Sequence, residues 1–187
     1  IIWDKILSFS ERHRAYASSE WALPEDALLQ IDGVAILLSP KSEDIVDSRL
    51  FKSDQYDLIY SEEDFHRSES DLLALQTASI KRIYFERQLS GVLSFASKVG
   101  SPKTIGAVLS GLELNSDEED MVFSQLQCSE ENQVELAKGY CYSKYRVAKK
   151  AWLTAIDLSS MPPKKRILIL SSITICKDAL DEIRSLP

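Results

Sequence analysis

The sequence predicts an all-α protein, an irregular helical bundle or short helical array of seven to nine helices. Three observations carry that prediction. Apolar side chains recur every three or four positions through most of the chain, the period of one helix face. Serine or proline followed by charged residues opens one stretch after another: Pro24-Glu25-Asp26, Ser42-Glu43-Asp44, Ser61-Glu62-Glu63-Asp64, Ser101-Pro102-Lys103, Ser116-Asp117-Glu118-Glu119 and Pro162-Pro163-Lys164. A serine oxygen takes up an orphan amide at a helix start, proline suits the first turn, and carboxylates there favour the positive end of the dipole. Only 6 Gly and 6 Pro occur, too few for a turn-dense β-sandwich or a glycine-rich phosphate loop.

The elements follow in order. Ile2, Ile6, Phe9, His13 and Tyr16 step by 4, 3, 4 and 3 and mark one face of a first helix, with Lys5, Glu11, Arg12 and Arg14 on the other. Pro24 to Leu38 reads as a second helix, although residues 33–38 taken alone would suit a buried strand; Ser39-Pro40 ends it, because the residue before proline avoids helical geometry. A short helix from Glu43 to Phe51 follows, then a polar loop from Lys52 to Tyr60 and a turn or two over Ser61 to Arg67. Ser70 to Val99 is the longest periodic stretch, with Gly91 as its expected bend. Pro102 to Leu114 buries Ile105, Val108, Leu109 and Leu112. Ser116 and Glu119 have the spacing of a capping box ahead of Met121, Val122 and Leu126. Glu130 to Leu158 is a long helical region expected to break near Tyr145 into a hairpin. Ile169, Ile173, Cys176, Leu180 and Ile183 mark a closing helix, with 166–175 as the second place where a strand competes.

At 187 residues the expectation is a single helical domain, 1–187, or two lobes, 1–100 and 101–187. A hydrophobic share of 44% suffices for a core, and a net charge of −7 disfavours wholesale binding to nucleic acid or anionic membrane. Cys128, Cys141 and Cys176 are odd in number and lack a C-x-x-C pair, which fits reduced thiols and a cytoplasmic or nuclear setting. The longest apolar runs, Val34 to Leu38 and Ile167 to Leu170, fall far short of the roughly 20 residues that span a bilayer, so no membrane partner is expected.

The clearest asymmetry lies between residues 115 and 166. Asp117 to Asp120, Glu130, Glu131 and Glu135 crowd the first part; Lys138, Lys144, Arg146, Lys149, Lys150 and Lys164 to Arg166 crowd the second, interleaved with Tyr140, Tyr142, Tyr145 and Trp152. Two readings follow. The first is a non-enzymatic intracellular helical module that docks a protein partner or forms a subunit of an assembly. Its groove would be lined by Tyr142, Tyr145 and Trp152, with Lys149 and Lys150 at the rim, since aromatic anchors with a charged rim carry such interfaces. The second is a nucleic-acid-binding helical domain that uses the basic segment 138–166 for phosphate contacts.

Tyr140-Cys141-Tyr142-Ser143-Lys144 resembles the Y-x-x-S-K of short-chain dehydrogenases, but the glycine-rich turn that cradles a pyrophosphate has no counterpart here. Leu136-Ala137-Lys138-Gly139-Tyr140 followed by Ala148, Trp152, Ala155 and Pro162 looks like one tetratricopeptide hairpin, which implies an antiparallel helical pair. His13 and His66 have no cysteine or second histidine at ligand spacing, and no G-x-S-x-G occurs. The sequence therefore leads to an expectation of no catalytic residues, no metal and no cofactor.

Overall fold

A computed structural model of the chain describes residues 2–52 and 65–173. The protein is all-α. Among the described residues the elements are α1 (Ile2–Ala15), α2 (Glu25–Leu37), α3 (Glu43–Asp47) with a 3₁₀ turn over Ser48–Phe51, α4 (Phe65–Ala96), α5 (Pro102–Leu109), α6 (Ser116–Gln125), α7 (Glu131–Ala155) and α8 (Pro163–Ser172). Most of both ambiguous segments is helical: of 33–38, 33–37 lies in α2 with Leu38 as its C-cap, and of 166–175, 166–172 lies in α8 with Ile173 extended beyond it. The polar loop and turn expected over residues 53–64, and Cys176, Leu180 and Ile183 of the closing stripe, fall outside the described residues. Two compact units form, Ile1–Gln76 and Thr77–Pro187, so the division falls within α4 rather than at Gly100.

In the first unit α1 packs on α2 around Trp3, Leu28 and Ala35. The buried positions of α1 are Trp3 and Ser10, not the predicted stripe; Ile2, Phe9 and Tyr16 of that stripe face outward. Ser10 explains the rotation. It donates to Asp32 Oδ1 of α2 at 2.6 Å, and Arg14 reaches Asp32 Oδ2 at 2.7 Å and Glu25 Oε1 at 2.9 Å. Arg49 closes the other end: it pairs with Asp4 and Glu11, both at 2.8 Å, and lies over the Trp3 ring. Lys52 adds a 2.6 Å contact to Asp4, and Gln76 donates to the Leu50 carbonyl at 2.7 Å. Burial pushes the Asp4 carboxyl up, but Lys52 and Arg49 outweigh it and hold the group below its usual range. Asp32 is lowered by Arg14 and then by Ser10.

The second unit is built on the crossing of α5 with α7. A Cβ on Gly106 would sit 1.9 Å from the Leu136 carbonyl oxygen, and one on Gly139 would sit 2.1 Å from the Lys103 carbonyl oxygen. Each helix thus presents glycine where the other's backbone passes, an approach no side chain permits. Ile105, Leu109, Leu136 and Tyr140 fill the space around the crossing. α6 and α8 pack on α7 and on each other, burying Val122, Phe123, Leu153 and Ile169. Asn132, in the first turn of α7, donates to the carbonyls of Ala96, Ser97 and Val99 at 3.4, 3.1 and 3.4 Å, satisfying acceptors that the end of α4 leaves open.

Three local expectations are corrected. α4 breaks at Gln88 (φ 57°, ψ −168°) rather than at Gly91; Gly91 instead leaves room for Arg87, whose Cβ lies 2.4 Å from where a Cβ on Gly91 would stand. α7 runs through Tyr145 and breaks at Lys149 (φ 47°, ψ −130°), so the hairpin implied by the tetratricopeptide likeness is not formed there. The capping box of α6 is Asn115 with Glu118, one residue earlier than Ser116 with Glu119. Asparagine is at least as good an N-cap as serine. The shift frees Glu119 to face the core.

Candidate docking surfaces

The acidic and basic parts of the 115–166 segment are folded against each other. Tyr140, fully buried on α7, donates a short hydrogen bond to Glu119 Oε1. Lys144, one turn further on, lies 5.4 Å from the centre of the Tyr140 ring and 3.8 Å from the same carboxylate oxygen. Lys165 of α8 pairs with Asp120 at 3.0 Å and covers the Phe123 ring. Lys138 pairs with Glu135 at 2.7 Å, and Tyr84 donates to Glu118 Oε1 at 2.7 Å. Burial, and then Glu119, push the Tyr140 phenol far above its ordinary range; the same two causes push the Cys141 thiol up to about 12. Both groups keep their protons near neutral pH. Tyr140 and Lys144 of the dehydrogenase-like motif thus share a carboxylate and a ring contact inside the unit's packing.

The five predicted docking residues separate. Tyr145 and Trp152 are buried, Trp152 with its ring 6.3 Å from Phe123. Tyr142 is half-buried with Lys103 over its ring, and Lys149 is exposed at the break in α7. The Lys150 side chain lies outside the described residues. Phe123, which the spacing of α6 does not single out, is buried beside Trp152. A groove walled by Tyr145 and Trp152 is therefore not an open surface. Of the basic segment, Lys138, Arg146, Lys149 and Lys164 are exposed, Lys138 with a surface pair to Glu135, while Lys144 and Lys165 are half-buried against carboxylates.

α2 of the first unit exposes apolar side chains on more than one side. Leu28 and Ala35 point inward and are almost wholly buried. Leu29, Ile36 and Leu37 point the other way and are 62%, 75% and 85% exposed, with Val34 and Leu38 half-exposed on the flank. Gly33 lies on the same outward face, and a Cβ there would meet nothing within 4 Å. At 100° per residue Leu29, Gly33, Ile36 and Leu37 form one stripe. A helix of this kind has two apolar faces and uses one.

A second outward feature lies at the end of α1. Phe9, His13, Trp21 and Tyr16, in that order, form a chain of ring contacts, with successive centroids 4.2, 5.1 and 5.6 Å apart, and the Leu23 amide donates to His13 Nδ1 at 3.0 Å. A shallow cavity of about 240 Å³ opens between Phe9, Arg12, His13 and Trp21. Beside it a cavity of about 340 Å³ is bounded by Asp4, Lys5, Ser8, Phe9, Arg12 and Lys52. Phe9 of the predicted α1 stripe borders both.

Among the described residues no helix is long and apolar enough to cross a membrane. The chain matches no known family profile, no curated protein and no solved structure.

Proposed function

We propose that this chain is a non-enzymatic helical docking module, or a subunit of a larger assembly, whose partner seats on the first unit. One observation carries the reading: α2 is a formed helix with a second apolar face, Leu29, Ile36 and Leu37, that stays exposed among the described residues. Contiguous exposed apolar surface of this kind marks association sites in folded proteins. A helix face with anchors at i, i+7 and i+8 matches helix-to-helix docking. The aromatic cluster at the end of α1 adds rigid contact groups to the same unit. The pairing of Lys144 with Glu119 and of Lys165 with Asp120, beside a surface pair of Lys138 with Glu135, leaves less free charge for a nucleic-acid interface along 138–166.

The test compares wild-type chain with Leu37→Glu, a change at a position 85% exposed that leaves the fold's own contacts in place. Quantitative affinity capture should show an interactor retained by the wild type and lost by the variant, with unchanged helicity by circular dichroism. Equal retention by both proteins would remove α2 as the docking face.

A further inference from the structure

We propose that the outward face of α2 pairs with the same face of a second copy of this chain, antiparallel, about a two-fold axis passing at Gly33. This rests on the docking role argued above and names its occupant.

The face is complementary to itself in that arrangement. With the axis at Gly33, the positions before and after it exchange. Leu29 of one copy meets Leu37 of the other, and this contact occurs twice, because a two-fold interface is isologous. Gly33 meets Gly33 at the point of closest approach, where its open Cβ position lets the two helices come near. By the same register Ile36 of each copy lies beside Gln30 of the other, against the stem of that side chain. The charges match as well. The first turn of α2 carries Glu25 and Asp26 and its last turn carries no base, while exposed Lys41 follows shortly after. Antiparallel pairing brings Asp26 of one copy to the Lys41 end of the other and sets opposite helix dipoles side by side. A parallel pairing would instead align acid with acid and base with base. In size, a stripe of three large apolar side chains falls short of a standard specific interface, which implies a weak, concentration-dependent dimer.

The test is sedimentation velocity on the full chain over a wide concentration range. The wild type should move from monomer to dimer as concentration rises. Leu37→Glu should remain monomeric with unchanged circular dichroism. Lys41→Glu should weaken the dimer at least several-fold, and Asp26→Lys together with Lys41→Glu should restore it, because the swapped charges meet again only if the helices run antiparallel. A wild type that stays monomeric throughout, or a Leu37→Glu chain that still dimerises, overturns the proposal. Failure of the double swap to rescue overturns the antiparallel arrangement. A monomeric wild type that nonetheless holds a partner lost in Leu37→Glu would leave the docking role standing and refute self-pairing alone.

Discussion

In the unit Ile1–Gln76, guanidinium groups tie the helices together: Arg14 spans Glu25 and Asp32, and Arg49 spans Asp4 and Glu11 while covering Trp3. In the unit Thr77–Pro187, the tightest joint is backbone against backbone, at Gly106 and Gly139, and the charges are arranged around an already dense core. The contrast shows two ways to fix a helix pair. Side-chain bridges hold a pair at a distance and respond to solvent conditions. A glycine crossing holds it by shape, and solvent has little access to it.

The sharpest way to break this comparison is Gly106→Ala. The new methyl would lie 1.9 Å from a backbone carbonyl that no rotamer change can move aside, so α5 and α7 must separate. We expect a loss of about 3 kcal/mol or more, at the top of the usual range for overpacking, read by chemical denaturation. Hydrogen exchange should localise the loss to the second unit, since protection reports opening region by region. A loss below 1 kcal/mol would mean that the crossing has slack.

Arg49→Ala is the matching change in the first unit. It removes two partly buried ion pairs and a cation–π contact, an expected loss of roughly 2 kcal/mol. Raising the salt concentration should shrink that difference, whereas the Gly106→Ala penalty should be insensitive to salt. Equal salt responses would erase the distinction between the units.

The mildest effect separates them by pH. Asp4 and Asp32 in the first unit are held below their unfolded values, so the stability they contribute is present above about pH 4 and is lost as acid protonates them. The second unit has Asp157 as its lowered carboxylate among the described residues, at an exposed position. Tyr140 and Cys141 behave in the opposite sense. Folding raises both, so the folded chain keeps protons that the unfolded chain releases, and stability falls as pH rises above about 9. Hydrogen exchange, corrected for intrinsic rates, should show the first unit loosening first in acid and the second first in alkali.

Much of this was legible from residue pattern, and the exceptions have physical causes. Pro24, Ser42 and Pro162 stand just before α2, α3 and α8, and Pro102 is the first residue of α5; none of these starts has a side-chain cap hydrogen bond, and proline's fixed φ, a local property, marks three of them. The breaks at Gln88 and Lys149 were not legible. Both are good helix formers, and positive φ there is imposed by surroundings that the sequence does not spell out. The stripe in α1 was read on the wrong side because Ser10 looks like a surface residue until Asp32 arrives from the next helix. Tyr145 and Trp152 suit a partner's anchors as well as a core because aromatics at helical spacing serve either; both are buried, Trp152 beside Phe123, and only the fold supplies that. The outward face of α2 was present in the sequence as an excess of apolar residues on every side of one helix, and was absorbed there into a helix-versus-strand question.

Gly106 and Gly139 also bear on how such a chain can change over time. Substitution can rewrite charges, caps and loop lengths with small cost, since neighbours accommodate each in turn. At the crossing there is a vocabulary of one letter, needed at two places at once. A divergent homologue that has exchanged nearly all of its surface should still carry that pair, a more durable signature of descent than any charged cluster.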